Sequence, residues 1–152
     1  VPYLTRETYI PRAATPLLDA IGHGIRDTEA SLASMTESRR PSKVVVVIIT
    51  DGRENSSREY RKNDIGTLVG EKQSQLGWQC VFLGADMAGI EEARAWGVSH
   101  MSSMGFCCSS HGARRAWKAA SARISDYRGG RRAAVVFTEE DRQEQAGDDK
   151  DP

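Results

Sequence analysis

The chain has 152 residues, 39% of them hydrophobic, and its 21 Lys or Arg balance its 21 Asp or Glu, so the formal net charge is zero. This balance is typical of one globular domain and excludes a fully disordered chain. No apolar stretch approaches the ~20 residues that a membrane span needs, and no signal-peptide pattern is visible. The three cysteines are too few for a disulfide framework, so a reducing, cytoplasmic setting is expected.

The charges are unevenly distributed along the second half of the chain. Residues 111–132 carry seven Lys or Arg against one Asp, and residues 139–151 carry seven Asp or Glu against one Arg and one Lys. The acidic end either folds back on the basic segment or stays solvated, and we favour the solvated arrangement.

The first predicted helix begins at Thr15-Pro16. Thr is a common helix cap, and proline is favoured at the first helical position. Apolar residues then recur every three or four positions, which predicts a helix to about Thr36. Residues 1–14 contain two prolines and no apolar period, so we expect an irregular segment there.

The strongest strand signal is Val44–Ile49, six apolar β-branched residues without alternation. Such a run is typical of a strand buried on both faces in a parallel sheet. Asp51 follows at the carboxyl end of this strand, where open α/β sheets bind ligands.

Helices and strands alternate along the rest of the chain, which predicts an α/β fold with a parallel sheet and right-handed crossovers. The later elements expected are a helix over 62–75, a strand over 78–83, a short helix ended by Gly97, a short strand over 98–101, a helix from Ser110 or His111 to Gly129, and a marginal edge strand over 133–137. Trp117 and Tyr127 fall on the apolar face of the last helix and are expected in the core. We expect residues 129–152 to form a charged, largely disordered tail.

Two segments resemble domains of the von Willebrand factor A type. Pro11–Gly22, with Thr15-Pro16-Leu17 and Asp19-Ala20-Ile21, resembles the G-x-T-P-L-x-D-A-I element of that family, and Val44–Asn55 resembles its hydrophobic strand followed by T-D-G-x-E-N. Val81–Asp86 is similar to a bacterial and phage subgroup of stand-alone A-type domains. The resemblance implies a Rossmann-like domain over 15–128 that recognises a protein partner and has no enzymatic activity.

In this family a divalent cation occupies a metal-ion-dependent adhesion site, and the partner donates a carboxylate to it. The family's ligands are an Asp-x-Ser-x-Ser, a Thr that Thr15 matches, and an Asp that Asp51 matches. The Asp-x-Ser-x-Ser has no counterpart, so the N-terminal strands are expected to be missing. Magnesium needs six oxygen ligands, and we therefore expect Mg²⁺, Mn²⁺ or Ca²⁺ to bind weakly or not at all.

Each residue assigned to the cation or binding site could instead have a purely structural role. Thr15 would act only as a helix cap and Asp51 only as a turn residue. Glu54 and Asn55 either add oxygen ligands to a binding site or simply solvate a loop. Without the N-terminal strands, Val44–Ile49 would lie at a sheet edge, which predicts self-association or pairing with a complementary N-terminal half.

Two further functions remain open as alternatives, and a zinc site is disfavoured. Asp51 and Asp86, each following a strand, would suit a small magnesium-dependent hydrolase. The basic helix would suit a nucleic-acid accessory protein, although its aromatic residues face the core. His100, Cys107, Cys108 and His111 lack the paired spacing of a structural zinc site.

Overall fold

The computed structural model describes residues 5, 7–8, 14–85 and 87–146, so the predicted irregular segment 1–14 lies almost entirely outside the described residues. The α-helices and strands follow one another as α1 (Leu17–Ala33), β1 (Val45–Thr50), α2 (Lys62–Leu76), β2 (Gln79–Gly84), α3 (Met87–Ala95), β3 (Ser103–Gly105), α4 (Ser110–Arg128) and α5 (Glu139–Ala146). This alternation confirms the predicted α/β class.

The three strands form a parallel sheet in the order β1-β2-β3, with Val45 opposite Gln79 and Phe82 opposite Ser103. β2 is therefore the central strand of the described sheet, and β1 lies at its edge. Ile48 is buried, but Ile49 is 39% exposed and the rest of β1 is half-buried. Val46 packs against one core and Val45 and Val47 pack against the other, so both faces of β1 are covered as predicted. The strand is nevertheless only half-buried, because it has a neighbouring strand on one side only.

Helices cover both faces of the sheet in a Rossmann-like arrangement. α1, α2 and α3 share one core with the β2 residues Cys80 and Phe82. α4 shares the other core with Val81 and Leu83 of the same strand. Alternate residues of β2 thus enter opposite cores, as a pleated strand between two helical layers requires.

The third strand lies further along the chain than the apolar residues predict. Residues His100–Ser102 form a 3₁₀ turn, and β3 begins only at Ser103. The Ser99 hydroxyl accepts a hydrogen bond from the Met101 N–H at 3.2 Å and stabilises this turn. The predicted strand over 98–101 is therefore wrong.

Residues 133–146 are ordered, in contrast to the predicted tail. Val135 and Phe137 are buried in the core without forming a strand, so the marginal edge strand is also wrong. The Thr138 hydroxyl accepts the Asp141 N–H at 3.2 Å and caps α5, and the Asp141 carboxylate accepts the Thr138 N–H at 2.8 Å in return. Residues from 147 onward lie outside the described part of the chain.

The acidic segment folds back on the basic helix at one point. Nε of Arg123 lies 3.0 Å from the carboxylate of Asp141, and both side chains are mostly buried. The favoured solvated arrangement is wrong here, because burial of Phe137 carries α5 against α4. Tyr127 is buried as predicted, whereas Trp117 is 47% exposed and the prediction that it belongs to the core is wrong.

No helix of the described residues is both long enough and apolar enough to cross a membrane.

Candidate functional site

Two loops meet at the carboxyl end of β1, and they bring Thr15 next to Asp51-Gly52. The Thr15 N–H donates to Oδ1 of Asn55 at 2.8 Å, and the Asn55 N–H donates to the Thr15 carbonyl at 3.2 Å. A Cβ on Gly52 would lie only 2.9 Å from Oγ1 of Thr15. The two residues that the sequence assigned to a cation site therefore come from adjacent backbone segments.

The Glu54 carboxylate holds these two loops together. It accepts the backbone N–H of Leu18 at 2.9 Å, those of Ser56 and Ser57 at 2.9 and 2.7 Å, and the Ser57 hydroxyl at 2.6 Å. Burial raises the pKa of Glu54, but the Ser57 hydroxyl and the backbone donors outweigh it and leave the pKa below its ordinary value. Glu54 is thus a structural acceptor that caps the first turn of α1.

Thr15 does not cap α1, so the simpler of the two roles considered for it, that of a helix cap, is wrong. The residue at the cap position is Pro16, and no side chain at that position accepts a hydrogen bond from the helix. The donor that a cap would satisfy, the Leu18 N–H, is bonded instead by Glu54. Thr15 contributes its backbone to the contact with Asn55, and its hydroxyl faces Gly52.

Asp19 is a structural residue that the sequence did not reveal in this role. Its carboxylate accepts three successive backbone N–H groups, those of Arg58 at 2.8 Å, Glu59 at 3.0 Å and Tyr60 at 2.9 Å. The hydrogen bond from Arg58 is the largest cause of the lowered pKa of Asp19. The only signal in the sequence was an acid in the first turn of a helix, and its partners lie about forty positions away.

Asp51 is exposed at the mouth of a groove of about 470 Å³ between the end of β1 and the start of α4. The groove lining also includes Phe106, Cys108 and Ser109. The turn is held by Thr50, whose hydroxyl donates to the Gly52 carbonyl at 2.7 Å and accepts the Gly52 N–H at 3.1 Å. No hydrogen bond to the Asp51 carboxylate is found within the described residues, which leaves it accessible to a ligand.

Among the described residues at this edge, few oxygen atoms are left to bind a magnesium ion. Asn55 Oδ1 accepts the Thr15 N–H and the Glu54 carboxylate accepts four donors, so neither is poised as a ligand. The Thr15 hydroxyl and the Asp51 carboxylate remain, two of the six oxygen ligands that magnesium prefers. In the described part of the chain, no three His, Cys, Asp or Glu side chains lie close enough to hold a metal ion.

The residues considered for a hydrolase, a zinc site or a nucleic-acid interface do not form a second site among the described residues. Asp86 lies outside the described residues, so its predicted pairing with Asp51 stays a prediction. Cys80 is buried in β2, where burial raises its pKa to about 11, whereas Cys108 is exposed. On the basic helix α4, Arg123 pairs with Asp126 as well as Asp141, so this cation is already neutralised.

Comparisons of the chain with protein-family models, with curated proteins and with solved structures found no match. The resemblance to von Willebrand factor A-type domains therefore rests on the sequence segments around Thr15 and Asp51.

Proposed function

We propose that the chain is a protein-binding or assembly module of the von Willebrand factor A type, not an enzyme, with an incomplete cation site at Thr15 and Asp51. The observation that supports this most is the contact between the two loops, in which Thr15 Oγ1 faces Gly52 directly after Asp51. Two segments 37 positions apart in sequence meet there, as the family resemblance implies.

The chemistry of the groove favours binding over catalysis. Its lining provides one carboxylate, one thiol and the hydroxyls of Thr50, Ser109 and Ser110, and it includes no histidine or lysine. Hydroxyls and thiols need an adjacent base to act as nucleophiles. An exposed carboxylate beside an apolar wall of Ile49 and Phe106 instead suits a partner side chain that enters the groove.

A divalent cation would be held here by few protein ligands. Asp51 would bind it through its carboxylate and Thr15 through its hydroxyl, directly or through water, and a carboxylate of the partner protein would complete the coordination. The cation would then link Asp51 to the partner, and its affinity for the isolated chain would be low.

Titration with Mn²⁺ tests this proposal, because the paramagnetic ion broadens NMR signals of nearby backbone amides. We expect broadening centred on Thr15 and Asp51, with a dissociation constant on the order of 1 mM. Asp51→Asn should abolish it, whereas Glu71→Gln, which alters an exposed carboxylate on α2, should leave it unchanged.

Two outcomes would contradict the proposal. Micromolar affinity that is lost in Asp51→Asn would show a complete site. Broadening that avoids Thr15 and Asp51 would show that the chain has no cation site at this edge.

A further inference from the structure

The outer edge of β1 carries backbone groups that pair with no strand of the described residues. The Gln79 N–H donates to the Val44 carbonyl at 2.9 Å, and the Ala85 N–H donates to the Thr50 carbonyl at 3.1 Å. The backbone N–H and C=O groups of the even-numbered residues in this segment therefore point towards β2. Since successive strand residues point their N–H and C=O groups to opposite sides, the groups of Val45, Val47 and Ile49 point outward.

A second copy of the same edge matches this pattern of donors and acceptors. Two identical edges related by a twofold axis run antiparallel, and their outward-facing residues must lie opposite one another to exchange hydrogen bonds. With Val47 opposite Val47 of the second copy, Val45 lies opposite Ile49. This register uses every outward residue of β1 in both copies.

The same register places opposite charges together at both ends of the strand. Lys43 precedes β1 and Asp51 follows it, and they lie opposite each other when Val47 pairs with itself. A shift of two residues would instead place Lys43 opposite Ile49 or Asp51 opposite Val45. Charge complementarity therefore favours the register centred on Val47. A symmetric pair contains the contact between Lys43 and Asp51 twice, once at each end of the paired strands.

The side chain of Lys43 has donors left for such a contact. Its Nζ donates to the Tyr127 carbonyl at 2.5 Å and lies 4.7 Å from the centre of the Tyr127 ring. An ammonium group has three donors, so two remain. Lys43 also lines an open pocket at this end of the sheet.

One residue of this edge, Ile49, has an exposed apolar side chain beside α4. α4 runs antiparallel to β1, since Ala113 lines the groove with Ile49 and Tyr127 contacts Lys43. Ile49 is 39% exposed, and a second copy beside β1 would cover it.

From these observations we infer that the outer edge of β1 binds a second copy of this chain, antiparallel about Val47, to form one continuous six-stranded sheet. Lys43 of each copy pairs with Asp51 of the other. Asp51 belongs to both the groove and this edge, whereas Lys43 and Val47 do not line the groove. Lys43→Glu and Val47→Pro, measured without divalent ions, therefore separate the outcome of this inference from that of the Mn²⁺ titration.

Charge-reversal variants of the full chain test the register by sedimentation equilibrium. Lys43→Glu and Asp51→Lys each replace two attractive contacts of the pair by two repulsive ones, and each should raise the dimer dissociation constant about tenfold. An equimolar mixture of the two variants should regain the wild-type constant, because every contact in the mixed pair is again attractive. Circular dichroism of each variant confirms that it is folded.

A proline variant tests the strand edge itself. Val47→Pro removes an outward-facing N–H, which an edge strand tolerates, and should abolish the dimer while the chain stays folded. Hydrogen exchange of the wild-type dimer should protect the amides of Val45, Val47 and Ile49, and Val47→Pro should expose those of Val45 and Ile49.

Four results would overturn the inference. They are a monomer at every concentration up to about 1 mM, a dimer that persists in Val47→Pro, a mixture of charge variants that stays weak, and protected outward amides in a monomer. The last would mean that a different strand, from another part of this chain, occupies the edge.

Discussion

The carboxylate of Glu54, in the loop after β1, accepts a hydrogen bond at 2.9 Å from the backbone N–H of Leu18 in the first turn of α1. A helix is thus capped by a side chain from a loop 36 residues later in the chain. Asp19 of α1 makes a second link between the two segments, because its carboxylate accepts three N–H groups of the same loop. The helix start and the loop therefore hold each other in place beside Asp51.

The stability of the chain should depend on Glu54 and on pH. Glu54→Gln removes the charge from four hydrogen bonds and should lower the free energy of unfolding at neutral pH by about 1–2 kcal/mol. The pKa of Glu54 is lower in the folded than in the unfolded chain, so its stabilising effect is complete above the unfolded value and is lost as pH falls through the folded value.

Urea unfolding between pH 7 and about pH 3 measures this effect. The wild-type chain should lose more stability on acidification than Glu54→Gln does. Glu71→Gln, at an exposed position of α2, serves as the control and should follow the wild type. An acid dependence identical in wild type and Glu54→Gln would contradict the capping role.

Two glycines of α1, separated by a single residue, should respond in opposite ways to alanine. A Cβ on Gly22 would lie 2.5 Å from the Tyr60 ring, whereas a Cβ on Gly24 meets nothing within 4 Å. Gly24→Ala should raise the free energy of unfolding by about 0.5–1 kcal/mol through helix propensity. Gly22→Ala should lower it by about 1–3 kcal/mol, since the ring must move.

Thermal unfolding of both variants compares them within one helix. Equal melting temperatures for Gly22→Ala and Gly24→Ala would show that Tyr60 does not pack on α1 as the structure places it.

The contact between Thr15 and Gly52 should appear as coupling between two substitutions. Gly52→Ala alone would put a Cβ 2.9 Å from the Thr15 hydroxyl and should cost about 1–2 kcal/mol. In Thr15→Ala the hydroxyl is absent, and the next nearest atom, the Cβ of residue 15, lies 3.8 Å away. Gly52→Ala should therefore cost much less in the Thr15→Ala background, and a double-mutant cycle by urea unfolding measures the difference. Additive effects would mean that the loops are not in contact.

The sequence by itself determined the order of the elements and the positions of those with strong local patterns. α2 extends from Lys62 to Leu76, within one residue of its prediction, and Gly77 ends it with a positive φ of 65°. The contact of Thr15 with the turn at Asp51 was implied by family resemblance, and the structure brings the two segments together. Hydrophobic periodicity and helix-ending residues such as Gly77 act over a few neighbouring residues, so the sequence alone predicts the helices that they define.

Only the tertiary structure decided which strand is central, which side chain caps α1 and where the acidic segment goes. The six β-branched residues of β1 carry the stronger strand signal, yet β2 occupies the centre of the described sheet because it has a neighbour on each side. Glu54 bonds Leu18, and Asp141 bonds Arg123, because folding brings together groups that are 36 and 18 positions apart. Such pairings depend on the path of the whole chain, and no local pattern around either residue contains them.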